Sequence, residues 1–178
     1  MKVDNDIIST KIGNLGFKVH ASDGDISTAS IVIAEIEPTL PQGMEVEGSI
    51  GVLLTLRSSS EIKDLKFSCA WSNNEAKGDA CSGEGLDAWE WESEGQLVVI
   101  GTEDGEWLFS RLNLGKLTHD NYPVSMDANR ITIELDKYPA NKELSLHFVV
   151  SSNSLPEQDC SCWYAVDIAH ERVIQACR

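Results

Sequence analysis

The tightest constraint on the fold is a run near the C-terminal end in which Leu144, Leu146, Phe148 and Val150 recur at every second position. An extended chain puts alternate side chains on one face, so this spacing demands a strand with one buried side. A polar segment with Ser, Asn and Pro follows over 151–159. Cys160, Cys162, Tyr164, Val166 and Ile168 then repeat the spacing. Together the two runs predict two core strands. They place Leu146, Phe148, Tyr164 and Val166 in one core with Val52, Leu54 and Phe67.

The rest of the chain follows the same pattern. Leu15, Phe17 and Val19 alternate ahead of Ser22-Asp23-Gly24-Asp25, where Asp-Gly is a two-residue hairpin signal. The return strand, Ile26 to Glu37, is apolar on both sides and is expected to be central. Two prolines mark the loop from Pro38 to Gly48. Ile50, Val52, Leu54 and Leu56 share the next face, and Leu65, Phe67, Cys69 and Trp71 the one after. Ser72 to Gly85 has few large apolar residues and is expected to be a mobile loop. A meander follows, Trp89 and Trp91 out, Gln96 to Thr102 back, and Trp107 to Leu114 out again across a second Asp-Gly turn. Gly115 to Ala128 is expected to be irregular. Ile131, Ile133 and Leu135 then share a face. For the C-terminus the favoured reading is a short strand, Val173 to Ala176, with a short helix from Ala169 as the alternative. The sum is roughly ten short strands and no long helix, which points to an all-β, antiparallel two-sheet β-sandwich forming a single domain over 1–178.

Charge narrows the partners. The chain carries 29 acids against 14 bases, a formal net charge of −15. Such a surface excludes binding to nucleic-acid phosphates or anionic membranes and suits a basic protein or a cation. No apolar run approaches the roughly 20 residues of a membrane span. The N-terminus lacks a signal-peptide pattern, and the five cysteines, an odd number, suit a reducing compartment. The expected location is the cytoplasm.

The densest charge lies between Glu75 and Glu106, where Asp79, Glu84, Asp87, Glu90, Glu92, Glu94, Glu103 and Asp104 also fall and Lys77 is the lone base. Trp89, Trp91 and Trp107 are interleaved. Aromatics anchor interfaces and rim carboxylates steer basic partners. Alternation alone also explains the pattern, with Trp packed inward and Glu in solvent. From this segment the candidate binding residues are Asp87, Trp89, Glu90, Trp91, Glu92, Glu94, Glu106 and Trp107.

Cys160, Cys162, His170 and Cys177 have zinc-binding chemistry, but Cys-x-Cys on a strand does not wrap a tetrahedral ion, so neither a metal nor any cofactor is expected. Asp23 and Asp25, and Asp104 with its glutamates, could hold calcium on loops, though Asp-Gly already has a conformational reason. Catalytic motifs are missing, and His20, His119, His147 and His170 are scattered. The expectation is a non-catalytic acidic sandwich that binds a basic protein in an inhibitor- or immunity-type role. The alternatives are a carbohydrate- or metal-ion-binding module, the former needing Trp89 and Trp91 exposed as a platform, or an enzyme with paired titratable groups in a pocket.

Overall fold

A computed structural model describes residues 1–4, 6–72, 78–83, 85–154 and 160–178. In chain order they form β1 (Lys2–Asp4), β2 (Ile7–Ser9), β3 (Asn14–His20), β4 (Ser30–Glu35), β5 (Gly48–Arg57), β6 (Ile62–Trp71), β7 (Asp79–Gly83), β8 (Leu86–Ser93) and β9 (Gln96–Glu103). Helix α1 (Gly105–Leu112), β10 (Val124–Asp127), β11 (Arg130–Tyr138), β12 (Glu143–Ser154), α2 (Ser161–Val166) and α3 (His170–Ala176) complete the order. The strands make two antiparallel six-stranded sheets, β1-β2-β3-β6-β11-β10 and β4-β5-β12-β9-β8-β7. They are consistent with the β-sandwich read from the alternation.

β12 is the pivot of the second sheet. It pairs with β5 from Glu143↔Arg57 to Ser152↔Gly48, and with β9 from Val149↔Gly101 to Ser154↔Gln96. Its even-numbered residues Leu144, Leu146, Phe148 and Val150 face the other sheet and are fully buried. They meet Val52 and Leu54 of β5 and Phe67 of β6 in the main core. The rings of Phe67 and Phe148 lie 4.8 Å apart. Burying such a side chain contributes about 1.5–3 kcal/mol relative to exposure. Cys69 packs in the same core as a small hydrophobe.

The odd-numbered side of β12 faces outward and is also covered. Val149 packs with Leu53, Ala88, Leu97 and Val99, and above them lie Cys162 and Val166 of α2, Ile168, and Val173 of α3. Two glycines permit this close approach. A Cβ on Gly101 would stand 2.8 Å from Val166 Cγ2, and one on Gly51 would stand 3.2 Å from Val173 Cγ1. The second sheet is therefore buried on both faces, with the sister sheet on one side and two short helices on part of the other.

Several local expectations give way here. Cys160 to Ile168 is not a strand. Ser161, Cys162, Ala165 and Val166 are the buried residues of α2, the last three at i, i+3 and i+4, while Tyr164 is 48% exposed. Tyr164 thus leaves the predicted core, and Val166 joins the outer cluster instead. Val173 to Ala176 belongs to α3 rather than to a strand. Trp107 to Leu114 falls in α1 and its C-terminal cap, not in a strand. Asp104 caps the helix by accepting from Trp107 N at 2.8 Å, and Asn113 ends it in the left-handed conformation at φ 54°. The predicted Asp23-Gly24 hairpin does not form, because β3 and β4 belong to different sheets and Asp23 bridges to Lys63 instead. β4 lies at a sheet edge rather than at the centre. β10 occupies part of the stretch expected to be irregular, and β7 part of the expected mobile loop, whose residues 73–77 and 84 lie outside the described ones, as do 155–159 of the later loop.

Candidate functional site

Continued two residues beyond Val149↔Gly101, the β12–β9 register brings His147 across from Glu103, both on the outer face. His147 is 1% exposed. Its Nδ1 lies 3.9 Å from Glu103 Oε2, and Thr102 Oγ1 donates to its carbonyl at 2.7 Å. Below β9, Asp104 turns the chain into α1 through its cap. About two turns later, α1 returns Arg111 over the same carboxylate. Arg111 Nε donates to Glu103 Oε1 at 2.8 Å and Nη2 to Oε2 at 2.5 Å, while Nη2 also reaches Ser145 O at 3.1 Å. This two-pronged pair is mostly shielded from water and fixes the carboxylate's plane.

The fourth contributor is α3. His170 is 4% exposed and sits over β12, with Nδ1 2.8 Å from His147 Nδ1 and Nε2 2.8 Å from Ser145 Oγ. An Nδ1···Nδ1 hydrogen bond requires one N–H and one lone pair. Two proton arrangements close the chain. In one, His147 Nδ1–H donates to His170, whose Nε2–H donates to Ser145. In the other, every donor is reversed. Both keep each ring neutral. Burial lowers the pKa of His147 to about 3, helped by the Arg111 charge. His170 is also lowered to about 3, by burial first and then by His147 and Arg111. Bases this weak do little general acid–base work near pH 7. Their lone pairs remain available for hydrogen bonds or for a metal.

Glu103, Arg111 and His170 line one side of a cleft of about 370 Å³ between α1 and the α2–α3 turn. Leu86, Val166 and Ile168 supply apolar wall, and Trp107 stands at its edge, 64% exposed. Asp167 and Glu171, both exposed, line the rim. Neither carboxylate makes an ion pair among the described residues.

The structure disperses the residues singled out in the sequence. Trp89 and Trp91 are buried at 7% and 1% exposure, and Trp91 packs edge-on against Trp71 of the other sheet. They form no surface platform of the kind a sugar site on them would need. Asp87 is buried and accepts from Tyr122 Oη at 2.8 Å; the same phenol oxygen accepts from Gly105 N. Glu90 is half-buried and accepts from Trp163 Nε1 at 2.7 Å, so it anchors α2 to β8. Glu92 and Glu94 are solvent-exposed at the β8–β9 turn. Glu106 and Trp107 are exposed at the opposite end of β9, roughly 25 Å away along the strand by the ordinary rise per residue. Of the set, Trp107 lines the cleft, and Glu106 is its exposed neighbour in the chain.

The C-terminal Cys/His group does not converge either. Cys160 is exposed, and the half-buried Cys177 directs its Sγ toward Val32 O and Gly51 O. Among the described residues, the His, Cys, Asp and Glu side chains whose ligand atoms gather within 4.8 Å are Glu103, His147 and His170. The sequence groups His170 with Cys160, Cys162 and Cys177, leaves His147 among scattered histidines and Glu103 among the acids of its segment, and does not single out Arg111. The available signal was His147 set between Leu146 and Phe148, in the most apolar stretch of β12. No helix among the described residues is long and apolar enough to cross a membrane.

No family model matches the chain, and no curated protein matches it. Among solved structures it is similar to a putative kojibiose phosphorylase from the human microbiome, at 12% identity and a TM-score of 0.42. The likeness covers 91% of this chain and 22% of that one, so the chain spans less than a quarter of the other protein's length, and a likeness of this degree carries no argument about activity.

Proposed function

We propose that this chain is a non-catalytic acidic β-sandwich that binds a basic protein partner in the cytoplasm, in an inhibitor- or immunity-type role. The observation that carries the reading is the exposed Trp107 at the edge of a cleft whose rim carboxylates, Asp167 and Glu171, make no ion pair among the described residues. A lysine or arginine from a partner satisfies both features. Its charge meets the carboxylates, and its stem or guanidinium lies on the indole face. The net charge of −15 adds a long-range attraction that speeds encounter and weakens with salt. The free thiols of Cys69, Cys160 and Cys177 suit a reducing compartment. The weak basicity of His147 and His170 supports a binding rather than a catalytic role.

The test is a titration of isotope-labelled protein with an arginine- and lysine-rich peptide, followed residue by residue in NMR spectra at low and high salt. Shifts are expected on α1 and on residues 166–171. Trp107→Ala, or Asp167→Lys with Glu171→Lys, is expected to weaken binding severalfold. Shifts centred on the Glu92–Glu94 turn, or no saturable response, would remove the cleft from the reading.

A further inference from the structure

We infer that Glu103, His147 and His170 form a binding site for one divalent transition-metal ion of the zinc class, at the inner end of the cleft. This departs from the expectation, drawn from the sequence, that the chain holds no metal. It does not depend on the partner reading, which rests on the rim.

The donor set comes first. Two imidazole nitrogens and one carboxylate oxygen are the ligands such ions take when the protein leaves further positions open. The three atoms lie within 4.8 Å of one another, with Nδ1 of His147 and His170 separated by 2.8 Å and His147 Nδ1 3.9 Å from Glu103 Oε2. Ligand bonds of about 2.0–2.2 Å place tetrahedral donors roughly 3.3 Å apart. The imidazoles must therefore part by about half an ångström, while the carboxylate moves inward toward both rings.

The supporting contacts are already in place. Metal-bound imidazoles are oriented by a hydrogen bond from the other ring nitrogen, and His170 Nε2 has Ser145 Oγ at 2.8 Å. The Glu103 plane is set by Arg111. The proton count also closes. Of the two neutral rings, one carries its proton on Nδ1, within the shared hydrogen bond. On binding, that proton moves to the same ring's Nε2, and both Nδ1 lone pairs face the ion. No proton is released.

Access and charge are consistent with this. Glu103, Thr102 and His170 line the cleft, so an ion can reach His147 from solvent past them. Arg111 lies against Glu103 and its charge opposes the ion. Its charge is offset by Glu103, and Asp167 and Glu171 on the rim tip the local balance negative.

The test uses the full chain, stripped with a chelator and titrated with zinc chloride by calorimetry. The expected result is one zinc per chain, a raised melting temperature, and a cobalt(II)-substituted form with visible absorption bands of nitrogen–oxygen coordination. Glu103→Gln keeps the shape of the side chain, and Ser145→Ala leaves all three ligands. The first is expected to weaken zinc by more than about tenfold and the second by about tenfold. Three results would overturn the inference: no stoichiometric binding, binding unchanged by Glu103→Gln and His170→Gln, or binding lost with Cys160→Ser and Cys177→Ser instead.

Discussion

β12 presents two faces that obey different rules. Inward lie Leu144, Leu146, Phe148 and Val150, all without measurable exposure and without a polar atom between them. Outward lie Ser145, His147, Val149 and Ser151, under two helices of six and seven residues. The inner face is held by area and close packing, to which many interchangeable residues contribute. The outer face is held by a few specific contacts: a glycine under a valine, a tryptophan on a glutamate, a histidine against a histidine. Burial alone sustains the first, whereas the second needs each polar group matched to a partner. Chemistry accordingly gathers on the outer face, where neutral imidazoles, a guanidinium and a carboxylate are enclosed yet lie next to a cleft.

This contrast sets the expected effects. The largest belongs to the inner face. Phe148→Ala should destabilise by about 3–5 kcal/mol in chemical denaturation, with the outer helices lost along with the sheets. A change under about 1 kcal/mol would mean that the inner packing is not what holds the sandwich.

Acid should act mainly through the outer face. His147 and His170 have folded pKa values lowered to about 3, against about 6.5 when unfolded. Between those values the unfolded chain binds more protons, so stability falls as pH drops below about 6.5 and this contribution levels off near pH 3. The loss should reach about 2–4 kcal/mol by pH 5, counting one or both rings. His147→Gln with His170→Gln should flatten the profile between pH 6.5 and 5, where most carboxylates are still ionised. An unchanged slope in that double variant would place the titrating groups elsewhere.

A narrower test adds one methyl group to the outer face. Gly101→Ala should cost about 1–3 kcal/mol, because the new Cβ meets Val166 at 2.8 Å. Pairing it with Val166→Ala should recover part of the loss, and hydrogen exchange should show α2 loosened while β5 and β12 stay protected. Additive losses in the pair would show that the two side chains do not meet. The smallest effect is expected at the far turn. Glu92→Lys with Glu94→Lys should shift stability by less than about 0.5 kcal/mol and slow a basic partner less than Asp167→Lys with Glu171→Lys does.

Legibility followed the same division. Most inner-face positions of β5, β6, β11 and β12 were readable, because a period of two over several apolar residues has one physical explanation, whereas Ile62 and Tyr138, at the ends of β6 and β11, fell outside the runs. The errors cluster where a short run fits both periods. Cys160, Cys162, Tyr164, Val166 and Ile168 alternate as a strand would, yet Cys162, Ala165 and Val166 satisfy the helical spacing, and six residues cannot separate the two. For α1 the signals were present: Asp104 as cap, Glu106 in the first turn, Arg111 in the last and Asn113 at the end. They were outweighed by Asp-Gly, which serves a helix start as well as a hairpin. The acidic tryptophan segment showed its charge but not its directions, so buried Asp87 and exposed Glu106 looked equivalent.

What the sequence determined by itself was local: where the chain extends, which side of each strand is apolar, and that the surface is strongly acidic. These depend on neighbours two to four residues apart, within reach of any pattern. The partition into two sheets, the placement of β4 at an edge and the meeting of Glu103, Arg111, Ser145, His147 and His170 were decided by tertiary structure alone. Those five side chains come from α1, α3 and the paired strands β9 and β12, spread over 68 positions of the chain. Only strand register and the docking of two short helices bring them within hydrogen-bonding distance, and no local preference encodes either.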